Sequence, residues 1–251
     1  MKNQFFADKR DFFKYDLLLV LMEGMAVFRR FTFIPILTPD DGTRDGGLTD
    51  YPPDFHPRRQ DLWNFLRGCL QRGERDIRKL HVYMKGKPFD FLPWCDEAFF
   101  THAGRNGYFS GVPGSALKRA LVFFDPDNGF EVPSMTARNG AKYLRYEELA
   151  GVFSRMDDAS VAVVYQHLPR KNRDDFFAET SGKIRKSLSP QEIFVVSDNT
   201  IAFFVVPKSP GTAKAARRVL ASYAREHELR FWEAGGGVSE IVDVVNRLVG
   251  R

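Results

Sequence analysis

The chain has 251 residues, 43% of them hydrophobic, and 24 Phe, enough for one large α/β domain or one domain with an appendage. With 37 Lys plus Arg against 32 Asp plus Glu, the formal charge of +5 leans towards a polyanion partner such as nucleic acid. The longest early apolar run, residues 17–22, is too short to span a membrane, and no charged segment leads into a cleavable apolar one. The two cysteines, Cys69 and Cys95, lack CxxC spacing, which fits a reduced, cytoplasmic chain and gives no zinc frame.

A polar and aromatic lead-in over residues 3–9 precedes a helix over 11–24, whose wide apolar face suits burial and whose stop is Gly24. Residues 31–37, FTFIPIL, read as the first strand, with Pro35 marking a bulge, an edge or an irregular end. A long acidic, glycine-containing loop follows from residue 38 and stays polar to Arg59; loops of this length are usually functional or mobile. Residues 62–70 read as helix, 76–84 as helix or a helix–strand junction, 85–93 as a turn region, 95–102 as a short helix and 104–114 as loop. Residues 121–124 form a short apolar run bounded by turn residues, which predicts a buried strand stopped by Pro126 and Gly129.

An amphipathic helix is expected over 142–155, a β-branched strand over 160–167, and a basic loop passing into helix over 169–188. Residues 193–196 and 201–206 flank Ser197-Asp198-Asn199, a hairpin signal. Strands alternating with helices predict a mostly parallel sheet covered on both faces, with the hairpin as an antiparallel edge. Ser209-Pro210-Gly211 reads as a linker, dividing an α/β domain over 1–208 from a helical extension over 209–251. That extension holds an Ala/Arg-rich helix over 212–228 and a second helix over 238–249, on either side of Gly235-Gly236-Gly237. The Lys/Arg-rich helix from Lys214 to Arg230 is a candidate oligomer or nucleic-acid surface, or simply solvated helix.

Three polar strand tips stand out, and in a parallel sheet they converge on one edge, where ligands bind in open α/β folds. Asp125, Asp127 and Asn128 form the first, suited to positioning an amine, a metal or a phosphate, or alternatively an Asx-rich turn. An EF-hand register fails there, because Gly129 stands where the third acid belongs. Asp40, Asp41, Gly42, Asp45 and Gly46 form the second, a ligand loop or a solvated one, which matches neither a dinucleotide fingerprint nor a phosphate-binding P-loop. Tyr165, Gln166 and His167 form the third, followed by Arg170, Lys171 and Arg173. His167 reads as a general base, a phosphate contact or a structural histidine. On the first helix Lys14 reads either as a ligand cation or as the i,i+3 partner of Asp11. No serine nucleophile elbow or catalytic cysteine frame is present, and His56, His81, His102 and His227 lack metal-ligand spacing.

The lead-in Asn3-Gln4-Phe5-Phe6, the Asp11-x-x-Lys14-Tyr15 motif, TPDDG at 38–42 and DPDNG at 125–129 together resemble a widespread bacterial family of uncharacterised proteins, across most of residues 1–208. More distantly, the layout is similar to the adenine-N6 methyltransferases of large-subunit ribosomal RNA. Asp11 and Lys14 match a first-helix D-x-x-K, residues 40–46 an acidic glycine-containing first loop, Asp125-Pro126-Asp127-Asn128 a D-P-P-Y segment, and 193–206 a closing hairpin. Asp127 and Asn128 depart from that pattern, replacing a proline and the aromatic on which a flipped base stacks.

The second resemblance implies a three-layer Rossmann-like fold of the class I methyltransferase kind and S-adenosylmethionine as cofactor. Asp11, Lys14, Thr38, Asp40, Asp41 and Gly42 are then expected near the cofactor, and Asp125, Asp127, Asn128 and His167 at the methyl acceptor, on nucleic acid. The alternative is a Mg²⁺-dependent nuclease or phosphoesterase using Asp40, Asp45, Asp125, Asp127 and Glu131, with His167 and the basic loop at the phosphate. A third reading is a non-catalytic binding protein on the same fold, its partner on the C-terminal helices. No resident metal site, no membrane association and a possible homo-oligomer complete the expectations.

Overall fold

A computed structural model describes residues 1–40, 42, 46–49, 59–190 and 192–234. Helix α1 (Lys9–Gly24) starts where the Asp8 side chain accepts the Asp11 amide hydrogen, and it is buried over most of its circumference, as its apolar sequence requires. Strand β1 (Arg30–Pro35) follows, then α2 (Gln60–Gln71), α3 (Leu80–Met84), β2 (Asp90–Pro93) and α4 (Arg105–Ser110). β3 (Ala120–Asp125) leads into two short strands, β4 (Gly129–Phe130) and β5 (Tyr143–Leu144), which pair with each other. Then come α5 (Tyr146–Ser154), β6 (Val161–His167), α6 (Arg173–Leu188), β7 (Phe194–Ser197), β8 (Ile201–Pro207), α7 (Pro210–Glu226) and β9 (Arg230–Glu233).

The main sheet has seven strands in the order β2-β1-β3-β6-β8-β7-β9. β2, β1, β3 and β6 run parallel, β8 runs against β6 and β7, and β9 runs against β7. The period-2 alternation of the strands sorts their side chains onto two cores. Phe31, Phe33, Phe123, Val163 and Phe203 face α1, α2, α3 and α7. Ile34, Val122, Phe124, Val164 and Phe204 face α4, α5 and α6. The fold is therefore mixed α/β, with helices on both faces of the sheet.

Several local expectations change. The hairpin is not an edge: β8 inserts next to β6, and β9 lies outside β7, because β8 is apolar on both faces and is buried along its whole length. β2 falls in the segment read as a turn; its four partly exposed edge residues, ending in Pro93, carry little strand signal. Residues 95–102 do not form a helix, since Cys95 takes a left-handed φ of 52° and the Phe100 N–H donates to the Leu37 carbonyl. α4 forms instead within 104–114. α5 begins at Tyr146 rather than residue 142, because Tyr143 and Leu144 are held in β5.

The boundary expected at residue 208 falls between β8 and α7. Over the described part of the extension, α7 packs on the α1 face of the sheet through Ala213, Ala216 and Leu220, and β9 continues the sheet itself. The expected helix over 238–249 lies outside the described residues. No helix among the described residues is long and apolar enough to cross a membrane.

The topology places one site. From β1 the chain goes to β2 on one side and returns to β3 on the other, so the carboxyl ends of β1 and β3 flank a topological switch point. Pro35 and Asp125 are register partners there, and β6 ends beside them at His167.

Candidate functional site

The DPDNG tip is built by its own residues and locked by β6. Pro126 ends the β3 ladder, and Gly129 takes φ +116°, a region closed to side chains that carry a Cβ. A Cβ on Gly129 would lie 2.2 Å from Gln166 Oε1. That oxygen accepts the Phe130 N–H at 2.8 Å, while Gln166 Nε2 donates to the carbonyls of Asn128 at 3.2 Å and His167 at 2.6 Å. Gln166 thus holds the turn against the end of β6. The sequence drew attention to it only as a neighbour of His167.

The two acids of the turn face cations rather than each other. Lys14 Nζ lies 2.8 Å from Asp125 Oδ2 and 2.8 Å from Asp11 Oδ1, all three side chains being buried. The ammonium also sits 4.9 Å from the centre of the Tyr165 ring. Asp127 faces Lys2 at 3.4 Å and Lys142 at 3.8 Å. Lys14 is thus the i,i+3 partner of Asp11, and its second contact is a carboxylate of the chain itself, Asp125.

Burial and this charge pattern set the protonation states. Burial works against the Lys14 ammonium, but Asp11 and Asp125 outweigh it and hold its pKa well above the ordinary lysine value. Burial pushes the Asp11 carboxyl up to about 7, with Asp8 and Asp125 adding to the shift and Lys14 opposing it. Burial also lowers His167 to about 4, and the charge of Arg10 lowers it further, against the pull of Asp127. His167 is thus a neutral imidazole at neutral pH, its Nε2 sharing a hydrogen bond with the Tyr165 hydroxyl at 3.2 Å.

The first loop is tied to the lead-in. Thr38 donates to the Met1 carbonyl through both its N–H at 2.7 Å and its hydroxyl at 3.2 Å. Asp40 Oδ1 accepts the Gln4 N–H at 3.1 Å. The Met1 amino group lies at the switch point itself, donating to the carbonyls of Ile36 at 2.8 Å and Asp125 at 3.2 Å. Gly46, with φ +85°, packs so closely on the lead-in that an added Cβ would be 2.1 Å from the Gln4 carbonyl oxygen. Gly42 is exposed with open space around it. Asp41 and Asp45 lie outside the described residues.

Two cavities open at this edge. A small one of about 20 Å³, room for a single water, lies against Asp8, Asp11, Lys14, Asp125, Tyr165 and His167. A larger cleft of about 610 Å³ adjoins it, lined by Lys2, Phe5, Arg10, Asp127, Asn128, Lys142 and His167 with the backbone of 46–48. Arg10 and His167 line both cavities. Lys2, Arg10 and Lys142 were not singled out from the sequence. Isolated basic residues carry no motif, and only the fold brings them together.

Comparison with known proteins finds no matching family model, no matching curated protein and no matching solved structure.

The expected residues divide accordingly. The fold unites Asp11, Lys14, Asp125, Asp127, Asn128 and His167, so the first and third strand tips share one edge, and of the second tip Gly46 lines the same cleft. Thr38 and Asp40 lie nearby but are bonded to the lead-in. Glu131 is drawn away, its carboxylate accepting the Tyr146 N–H at the start of α5. The basic loop is also spent locally: Lys171 pairs with Glu179, and Arg173 donates to the carbonyls of Pro169 and Asn199. Among the described residues, no group of three or more His, Cys, Asp or Glu is placed to hold a metal ion.

The donor set also bears on S-adenosylmethionine, which carries a sulfonium and an ammonium. The acid-rich cavity is water-sized, and the described residues of the roomy cleft include three cations and one carboxylate, Asp127. The described residues fit an anion there rather than a cationic cofactor.

Proposed function

We propose that this chain binds nucleic acid through the cationic cleft at the carboxyl edge of its sheet. One observation carries the reading: a cleft of about 610 Å³ at the topological switch point, lined among the described residues by Lys2, Arg10 and Lys142 and by one carboxylate, Asp127. Phosphate contacts supply most of the sequence-independent affinity for nucleic acid, so a cleft of this charge attracts a strand before any base is read. Phe5 lines the same cleft, with the Lys2 ammonium 5.2 Å from its ring centre, and supplies an aromatic side chain for an unstacked base. The neutral His167 and Asn128 line the same cleft and provide polar contacts. Fluorescence anisotropy with a short single-stranded RNA or DNA at low salt tests this. Binding should weaken as salt rises, and further in Lys142→Glu. An affinity indifferent to both would end the proposal.

A second reading, methyl transfer to nucleic acid, is favoured by a separate observation. The antiparallel β8 inserted beside β6, with a carboxylate-tipped β3 next to β1, supports a mostly parallel sheet carrying an antiparallel hairpin, which the likeness to ribosomal RNA adenine methyltransferases implies. Calorimetry with S-adenosylmethionine decides it, and absence of binding at millimolar cofactor would remove it.

A further inference from the structure

The opposite edge of the sheet carries a concentration of charge of its own. The amino ends of β1, β3 and β6 meet the carboxyl end of β8 there. Arg29, Arg30, Lys118, Arg119, Arg155 and Lys208 lie on the segments that flank these ends, and Arg29, Lys118 and Arg119 are exposed. Hydrogen bonds join most of them into one row. The Arg29 N–H donates to the Arg119 carbonyl at 2.7 Å, Arg30 Nη1 to the Lys118 carbonyl at 3.1 Å, and Lys118 Nζ to the Arg155 carbonyl at 2.9 Å. Lys208 Nζ continues the row, donating to the Phe153 carbonyl at 2.7 Å.

Carbonyl oxygens hold these cations without cancelling their charge. Among the described residues, no carboxylate lies within 4.0 Å of the charged atoms of Arg29, Lys118, Arg119, Arg155 or Lys208, and Arg30 has only Asp90 at 3.8 Å. Of the acids nearby, Asp157 turns its oxygens to the Arg119 N–H and the Ser160 hydroxyl, and Glu23 is held by Arg59. Asp158 feels the charge of Lys208 without pairing to it. Arg155 and Lys208 also cap the ends of α4 and α5, but a helix end supplies only about half a negative charge. Arg119 takes φ +48°, a conformation that crowds its Cβ and that glycine adopts freely. Among the described residues only its Nε is bonded, to the Val27 carbonyl at 3.1 Å, so its two Nη groups are open.

We propose that this amino-edge rim is a contact surface for the phosphate backbone of duplex nucleic acid. The inference goes beyond the cleft at the carboxyl edge and does not rest on it. Neighbouring strands lie about 4.8 Å apart, so the row from β1 to β8 is about 14 Å long, the rise of about four phosphates along one strand of a duplex. The guanidinium forks of Arg29 and Arg119 match phosphate oxygens. An anionic membrane fits less well. The exposed large hydrophobics among the described residues, Leu48, Val82, Phe99 and Val132, lie outside the rim's segments, so the rim has no such group to insert. A duplex is also too large to enter a cleft of about 610 Å³, the size of a small-molecule site.

The test is fluorescence anisotropy of the full chain with a labelled duplex of mixed sequence, over a salt series. Arg29→Glu and Arg119→Gly should each weaken binding about tenfold, the ratio that one charge-assisted contact supplies. Each should also flatten the dependence of log affinity on log salt by about 0.9 or more. Arg29→Glu should leave the thermal midpoint unchanged, since its side chain is exposed, and glycine suits the backbone of residue 119. Loss in both rim variants, with Lys142→Glu binding the duplex like the parent, supports the rim as a surface separate from the cleft. A duplex bound equally by the parent and both rim variants, or left unbound at low salt, overturns the proposal while leaving the single-strand reading of the cleft intact. Displacement of the duplex by polyglutamate or phosphatidylserine vesicles at equal charge concentration overturns the assignment to nucleic acid.

Discussion

Replacing Lys14 by Met isolates the interaction on which the strand tip depends. The ammonium bridges Asp11 and Asp125, 2.8 Å from each, with side-chain exposures of 4% for Lys14 and 1% for both acids. Removing one partner of a buried ion pair costs about 3–5 kcal/mol, because an uncompensated charge is left inside. Against a total stability on the order of 5–15 kcal/mol, that is a large share. With a urea slope of about 2–3 kcal/mol per molar, the midpoint should fall by roughly 1–2.5 M.

The loss should also depend on pH. Asp11 titrates at about 7 in the folded chain, above its ordinary 3.8. The native state therefore holds this proton where the unfolded state does not, so the group favours the fold below pH 3.8 and loses that contribution as pH rises through 7. Without Lys14 the Asp11 carboxyl is pushed further up, so the penalty of Lys14→Met should be largest near pH 8 and shrink towards pH 5. Asp125→Asn in the Lys14→Met background should recover part of it. Urea titrations of the four proteins at both pH values measure this. A penalty below about 1 kcal/mol, or one that is flat with pH, would refute the reasoning.

Two other outcomes follow from the same edge. The His167 imidazole should titrate at about 4 by NMR, and Arg10→Gln should move it upward, because burial lowers it first and Arg10 second. As the unfolded histidine titrates near 6.5, its contribution to stability is present above that pH and is lost as pH falls through about 4; a midpoint above 6 contradicts the burial seen here. Gly129→Ala should cost about 2–5 kcal/mol, from backbone strain at positive φ and loss of the Gln166 contact with the Phe130 amide. A variant as stable as the parent would show that Gln166 does not lock the turn.

The strands that matter most were readable from composition alone. The apolar runs of β3, β6 and β8 are long enough and sufficiently β-branched or aromatic to be recognised without context, and Pro126 with Gly129 fixes where β3 must stop. Parallel strands with crossover helices then oblige their polar tips to meet at one edge, so the sequence alone groups Asp125, Asp127 and His167. β2 and β9 escaped because each is four residues long and has partly exposed ends, so pairing rather than hydrophobic pattern makes them strands.

By itself the sequence determined local matters: the helix of residues 11–24, the buried strands, the turn chemistry of DPDNG and the absence of the standard nucleotide fingerprints. Tertiary structure alone decided the charge state of the site. Lys14 lies 111 residues from Asp125, and Arg10 reaches His167 only across the sheet edge. Electrostatic energy depends on separation in space and on burial, neither of which is encoded in residue spacing along the chain. That is why acids legible as a strand tip proved to be neutralised by buried lysines, and why Arg10, whose buried Nε has no hydrogen-bond partner among the described residues, carried no signal in the sequence.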